Sequence, residues 1–126
     1  MIILDTHALI WALFQKGNIP VKTQQRIEVE ERVLVSIVSF WEIAIKQSIG
    51  KIDLKYTISD IIEVCRKEGI DVLPIKPEHL DQIKELPMVH NDPFDRLIIA
   101  QAMIENLVIV TKDRKFTNYD VKIVWE

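Results

Sequence analysis

Short apolar runs without polar alternation recur along this chain, and longer helical stretches separate them. Ile2-Ile3-Leu4, Val33-Leu34-Val35-Ser36-Ile37 and Leu107-Val108-Ile109-Val110-Thr111 are dominated by branched aliphatic residues over a length that suits a strand and is too short for a helix. A strand that is apolar on successive positions must be covered on both faces. Such strands alternating with helices predict a parallel sheet packed between two layers of helix, an α/β domain. In sheets of that kind ligands bind beyond the carboxyl ends of the strands, near the point where strand order reverses. The residues just after each strand therefore carry the most information.

The rest of the chain fills in that pattern. A helix is expected from Asp5-Thr6 to Phe14, a turn at Gly17-Asn18-Ile19-Pro20, and a solvated helix over Val21 to Glu31. A further helix runs from Ser39 to Ile49 and stops at Gly50; another runs from Ile58 to Glu68 and stops at Gly69. The latter places Ile58, Ile61, Ile62 and Cys65 on one face, so Cys65 reads as a small core residue. Val72-Leu73-Pro74-Ile75 is expected as an edge strand because of its proline. Helices over Pro77 to Leu86 and Pro93 to Asn106 follow, and Val121-Lys122-Ile123-Val124 is the last strand. No repeat, linker or shift of composition divides the chain, so residues 1–126 read as one domain.

Composition narrows the setting. Hydrophobic residues make up 48% of the 126, enough for a core without disulfide or metal staples, and the single cysteine has no partner within the chain. The longest charge-free run, Thr6 to Gln15, falls short of the ~20 residues of a membrane span. Met1-Ile2-Ile3-Leu4-Asp5 lacks the basic start of a secretory signal. A cytoplasmic protein with no membrane association is the expectation. The formal net charge of −3 argues against a general basic coat for nucleic acid, but not against a local basic rim.

Carboxylates stand where ligands should bind. Asp5 follows the first strand, Glu42 falls near the start of the helix after the second, Asp92 and Asp95 open the helix before the fourth, and Asp113 follows the fourth. Each has a plain alternative role as a helix cap. Ser39-Phe40-Trp41-Glu42 matches a capping box, and Asp92-Pro93-Phe94-Asp95 matches a cap, a first-turn proline and a first-turn acid. Capping alone would draw Ser, Thr and Asn about as often as acids, whereas the ends of strands one, two and four all offer carboxylates. Several carboxylates sharing a pocket repel unless a cation compensates, and the fitting cation is a hard divalent ion, Mg²⁺ or Mn²⁺.

The histidines show no zinc spacing; His79 and His90 are expected in turns or at the surface, and His7 lies near the strand ends. Acid-held Mg²⁺ beside basic residues suits phosphate chemistry. Arg96, Lys112, Arg114 and Lys115 form the candidate rim facing such a substrate. Trp11, Phe40 and Trp41 could stack on bases, but their helical setting favours core packing.

Four stretches together resemble the PIN-domain family, closest to the VapC-type toxins of type II toxin–antitoxin pairs: Ile2-Ile3-Leu4-Asp5-Thr6, Ser39-Phe40-Trp41-Glu42-Ile43, Asn91 to Ala102, and Val110-Thr111-Lys112-Asp113. The resemblance spans essentially the whole chain in order and spacing, and Asn-Asp-Pro-Phe-Asp-Arg at 91–96 is its most specific part. It implies a three-layer α/β/α sandwich and a Mg²⁺- or Mn²⁺-dependent endoribonuclease leaving 5′-phosphate and 3′-hydroxyl ends. Asp5, Glu42, Asp95 and Asp113 fall on the family's four acidic positions, Thr6 and Thr111 on supporting polar positions, and Asp92 is ambiguous between cap and support. Family members act on RNA, commonly as homodimers, and are silenced by a cognate antitoxin protein.

Two other readings compete. A receiver-like Mg²⁺-binding signalling domain would normally show an acidic pair after strand one, where this chain has Asp5-Thr6, and an acid after strand three, where it has Lys76-Pro77. A phosphatase of the haloacid-dehalogenase type would place a second Asp where His7 stands. The remaining reading is a non-catalytic binding module whose acids are only caps.

Overall fold

A computed structural model covers residues 1–126. Five strands, β1 (Ile2–Leu4), β2 (Val33–Ser36), β3 (Ile70–Leu73), β4 (Val108–Val110) and β5 (Ile123–Val124), form one sheet in the order β3-β2-β1-β4-β5, and every pair is parallel. Six helices surround it: α1 (Thr6–Phe14), α2 (Val21–Val29), α3 (Ile37–Ser48), α4 (Ile58–Lys67), α5 (Pro77–Glu85) and α6 (Pro93–Glu105). The strand order runs outward from β1 in both directions. It differs from the 2-1-3-4-5 order of flavodoxin-like receivers, which removes the receiver reading.

The apolar strands build two cores, as their sequences require. Ile3, Leu34 and Ile109 point to one face, where they meet Leu97, Ile98 and Ile99 of α6 together with Phe116 and Tyr119. Ile2, Leu4, Val33, Val35 and Val110 point to the other, against Leu9 of α1, Phe40 and Ile43 of α3, and Ile61 and Cys65 of α4. Alternation along each strand thus feeds two separate layers, giving the α/β/α sandwich. Cys65 is fully buried, and burial raises its thiol to about 11.

Several element boundaries depart from the sequence reading, those of β3 and α3 with a clear local cause. β3 starts two residues early, at Ile70, because Gly69 takes a left-handed φ of 74° directly after α4 and releases the chain into the sheet. Pro74, which has no N–H for a ladder, then lies just past its end. α3 begins at Ile37 with no intervening loop: the Ser36 hydroxyl caps it by accepting the Val38 N–H at 3.1 Å. The expected capping box at Ser39 is therefore absent. Asn106 closes α6 in the left-handed conformation that Asn tolerates.

Candidate active site

Strand order reverses between β1 and β4, and parallel pairing brings all carboxyl ends to one edge, so a crevice opens there. Asp5 leaves β1 on one side of it with its N–H bonded to the Val110 carbonyl at 3.1 Å. One Asp5 carboxylate oxygen caps α1 by accepting the Ala8 N–H at 2.8 Å; the other accepts the Thr111 hydroxyl at 2.5 Å. The Thr111 oxygen accepts in turn from the Asp113 N–H at 3.0 Å. Asp5, Thr111 and Asp113 are thus linked in series across the β1–β4 join. Burial raises the Asp5 pKa; the Thr111, Ala8 and His7 interactions oppose it, and Glu42 reinforces it.

Glu42 arrives from α3. Since Ser36 caps that helix, Glu42 sits in its second turn rather than its first, and it caps nothing. Ser39 instead receives the Thr6 hydroxyl at 3.0 Å, tying the start of α1 to α3 one turn before Glu42. Thr6 is thus bonded to α3 and Thr111 to an acid. Glu42 Oε2 accepts from Lys46 at 2.6 Å, while its Oε1 is buried without a partner.

Asp95 lies in the first turn of α6. The cap there is Asp92, which accepts the N–H groups of Phe94 and Asp95 at 2.9 and 3.1 Å. The Asp95 carboxylate caps nothing and sits among like charges. Burial first, then Asp92, Asp5, Glu42 and Asp113, push its pKa up to about 8. Asp113 opens a short 3₁₀ turn, accepting the Lys115 N–H at 2.9 Å. Exposed Lys112, Arg114 and Lys115 flank it. Asp5, His7, Trp11, Lys112 and Asp113 line a cleft of about 230 Å³. Hollows of about 330 and 590 Å³ open beside Val33 and Ile70 and beside Met1 and Val108, at the amino ends of the strands, and neither is lined by Asp5, Glu42, Asp95 or Asp113.

The structure therefore brings Asp5, Glu42, Asp95 and Asp113 into one electrostatic neighbourhood, with Asp92 beside them. Glu42 and Asp95 do no capping, which weighs against a capping-only role. No three of the side chains close on a common point at metal-ligand distance. Four like charges repel, and Asp5, Glu42 and Asp113 are each turned toward a bond of their own. The donors are carboxylate oxygens, and one, Glu42 Oε1, is buried with nothing to bond. That set suits a hard divalent cation and no soft one.

Four expectations need correction. Arg96 is no rim residue: it is buried, and its Nη1 donates to the Pro87 carbonyl at 2.8 Å and the Tyr119 hydroxyl at 3.1 Å. His79 is fully buried rather than superficial; its Nδ1 accepts the Lys76 N–H at 3.0 Å and its Nε2 meets Glu105 at 2.8 Å. His90 is largely buried and stands 3.5 Å from Asp95. Trp41 is 61% exposed, with its edge against Phe94, whereas Phe40 is buried as expected. Trp11 is half-buried, beside Trp125 and under Lys112. His90 and Tyr119 are the neighbours that sequence reading missed. Nothing in their spacing signals them, because they meet only through the fold.

Residues 2–122 match the PIN domain family. Ribonuclease VapC22 of Mycobacterium tuberculosis is 26% identical over 119 residues, covering 94% of this chain and 91% of that protein. The fold superposes on crystal structures of VapBC2 from Rickettsia felis bound to a promoter DNA fragment (TM-score 0.75, 16% identity, all of both chains) and of DNA-bound VapBC from Salmonella typhimurium (0.68, 18%, 98% of each). A toxin–antitoxin complex from Klebsiella pneumoniae is similar at 0.63 and 13% identity, over 98% of this chain and 96% of that one.

Proposed function

The chain belongs to the PIN domain family, and we propose that it is a Mg²⁺- or Mn²⁺-dependent endoribonuclease, the toxin of a VapBC-type pair acting in the cytoplasm. The observation that carries this reading is the convergence on Asp95 of the charges of Asp5, Glu42 and Asp113 from three other elements. Similarity to a protein named a ribonuclease supports RNA as the substrate.

Asp5, Glu42, Asp95 and Asp113 would hold the cation. When bound, it screens the phosphate oxygens and lowers the pKa of an attacking water. The chain's own groups then divide the work. Thr111 fixes one oxygen of Asp5, and the Thr6–Ser39 bond fixes the turn that presents Glu42. Lys112, Arg114 and Lys115 draw the RNA backbone to the cleft edge. Water would add to phosphorus as its proton passes to a carboxylate of the set, the P–O3′ bond would break, and the departing 3′-oxygen would take a proton from solvent, leaving a 3′-hydroxyl and a 5′-phosphate.

The partners follow from what the fold leaves open. Ile37, Trp41 and Ile45 of α3 and Ile49 at its C-cap recur every fourth residue and are all exposed. A stripe of that kind supports a protein interface, as in a homodimer or with an antitoxin. Likeness to toxin–antitoxin complexes supports the second partner.

The test is to incubate total cellular RNA with the purified protein and Mn²⁺ or Mg²⁺, with and without EDTA, and to map new 5′-phosphate ends. Identically prepared Asp95→Asn protein controls for contaminating nuclease. Discrete metal-dependent ends that vanish in the variant are expected. Equal ends from both proteins would refute the assignment.

A further inference from the structure

Arg96 begins a chain of hydrogen bonds that ends at His90, beside Asp95, and the direction of each bond can be worked out. A guanidinium only donates, so the Arg96 Nη1 contact at 3.1 Å makes the Tyr119 oxygen an acceptor. Tyr119 is 5% exposed and its hydroxyl proton needs an acceptor of its own; His90 Nδ1, at 2.7 Å, is the one in reach. With Nδ1 accepting, the neutral imidazole carries its proton on Nε2. That nitrogen is buried, has no hydrogen-bond partner, and faces Asp95 Oδ2 at 3.5 Å.

The site is also stiff. The His90 and Tyr119 rings meet edge to face with centroids 5.4 Å apart, and Arg96 is pinned a second time by the Pro87 carbonyl at the start of the loop that carries His90. The relay needs only a few tenths of an ångström of movement to bring Nε2 within hydrogen-bond range of Oδ2.

We propose that His90 is a positioning residue for Asp95: the Arg96–Tyr119 relay fixes its Nε2–H, which draws Oδ2 to one side and turns the other carboxylate oxygen toward Asp5, Glu42 and Asp113. This rests on the metal-dependent reading given above and adds a role for residues outside the acidic set. His90 touches neither substrate nor reacting atoms. Its effect passes through the orientation of one ligand, as an outer partner orients a metal-bound side chain.

Two substitutions separate this role from packing. In His90→Asn the amide reaches the Nδ1 position, so it can still accept from Tyr119 but cannot reach Asp95. In His90→Gln the amide N–H reaches the Nε2 position. Mn²⁺ binding to the full chain is measured by the loss of the free-ion electron paramagnetic resonance signal, beside thermal melts. His90→Asn should bind Mn²⁺ about tenfold more weakly while folding normally, and His90→Gln should recover most of the affinity. Tyr119→Phe, which keeps the ring and removes the relay's hydroxyl, should also bind more weakly.

If wild type binds Mn²⁺ and either His90→Asn or Tyr119→Phe binds it equally well, the positioning role is overturned and the metal site stands. Equal weakening in His90→Asn and His90→Gln would likewise overturn it, leaving His90 as packing. Wild type that binds no Mn²⁺ removes the metal-dependent reading and this role with it.

Discussion

The Thr111 hydroxyl donates to Asp5 Oδ2 at 2.5 Å across a sequence separation of 106 residues, joining the ends of the two strands between which the sheet reverses. Removing that donor strands a buried carboxylate oxygen. Thr111→Val should cost about 1–3 kcal/mol and lower the melting temperature by several degrees, whereas Thr111→Ser should stay near wild type. Thermal denaturation of the two variants checks this; equal melts would mean that the bond contributes nothing.

Asp95 sets a pH dependence with a definite sign. Its pKa lies near 8 in the folded protein against 3.8 for an unperturbed side chain, so between those values the folded state keeps a proton that the unfolded state has lost. Stability from this group is complete below about pH 4 and is lost as pH rises through 8. Metal-free wild type should therefore melt lower at pH 8 than at pH 6. Asp95→Asn should flatten that decline and melt at or above wild type at pH 8. Melts in EDTA at both pH values decide it, and an Asp95→Asn protein less stable at pH 8 would contradict the argument.

Lys46 donates to Glu42 at 2.6 Å and would compete there with a bound cation. The pair is partly buried, so Lys46→Met should destabilise metal-free protein by about 1–3 kcal/mol, between the effects of exposed and buried pairs. Mn²⁺ should bind this variant a few-fold more tightly, because a competing positive charge is gone. Weaker Mn²⁺ binding would show instead that Lys46 helps to build the site.

Charge on the rim should act on affinity rather than on chemistry. Replacing Lys112, Arg114 and Lys115 with Ala should weaken RNA binding and reduce the slope of log affinity against log salt by about 2, at roughly 0.7 per phosphate contact on single strands. Turnover at saturating RNA should hold. Arg96→Ala, by contrast, should lower stability through its lost bonds to Pro87 and Tyr119 and leave the salt slope alone. An unchanged slope in the triple variant would remove the rim.

Legibility in the sequence tracked the range of the interaction. The strands could be read because two-sided burial leaves a local mark: Ile2-Ile3-Leu4 is apolar at every position, and the structure covers all three. The acids could be read as a group because Asp5 and Asp113 follow strands, Asp95 opens a helix, and Glu42 lies near the start of one. The start of α3 could not, since Ser36 and Ser39 both satisfy local capping rules and only packing against Thr6 tells them apart. Arg96 and His79 were misread for a related reason. Their partners lie 23 and 26 residues away, Tyr119 and Glu105, and no local pattern reports such a contact. On α3, Phe40 and Ile43 mark one apolar face and Ile37, Trp41 and Ile45 another, and the sequence does not say which is turned inward.

β1 occupies the centre of the sheet, paired on one side with residues 33–35 and on the other with residues 108–110. A contact of such long range is slow to form during folding, because the intervening chain must first be ordered. It also cannot form on a ribosome until the fourth strand has been synthesised. Until then Asp5 has no Thr111 to bond and no Asp113 beside it, and the crevice has one wall. Synthesis and assembly are thereby separated in time: the carboxylate translated first meets its surroundings only when the last wall of the crevice arrives.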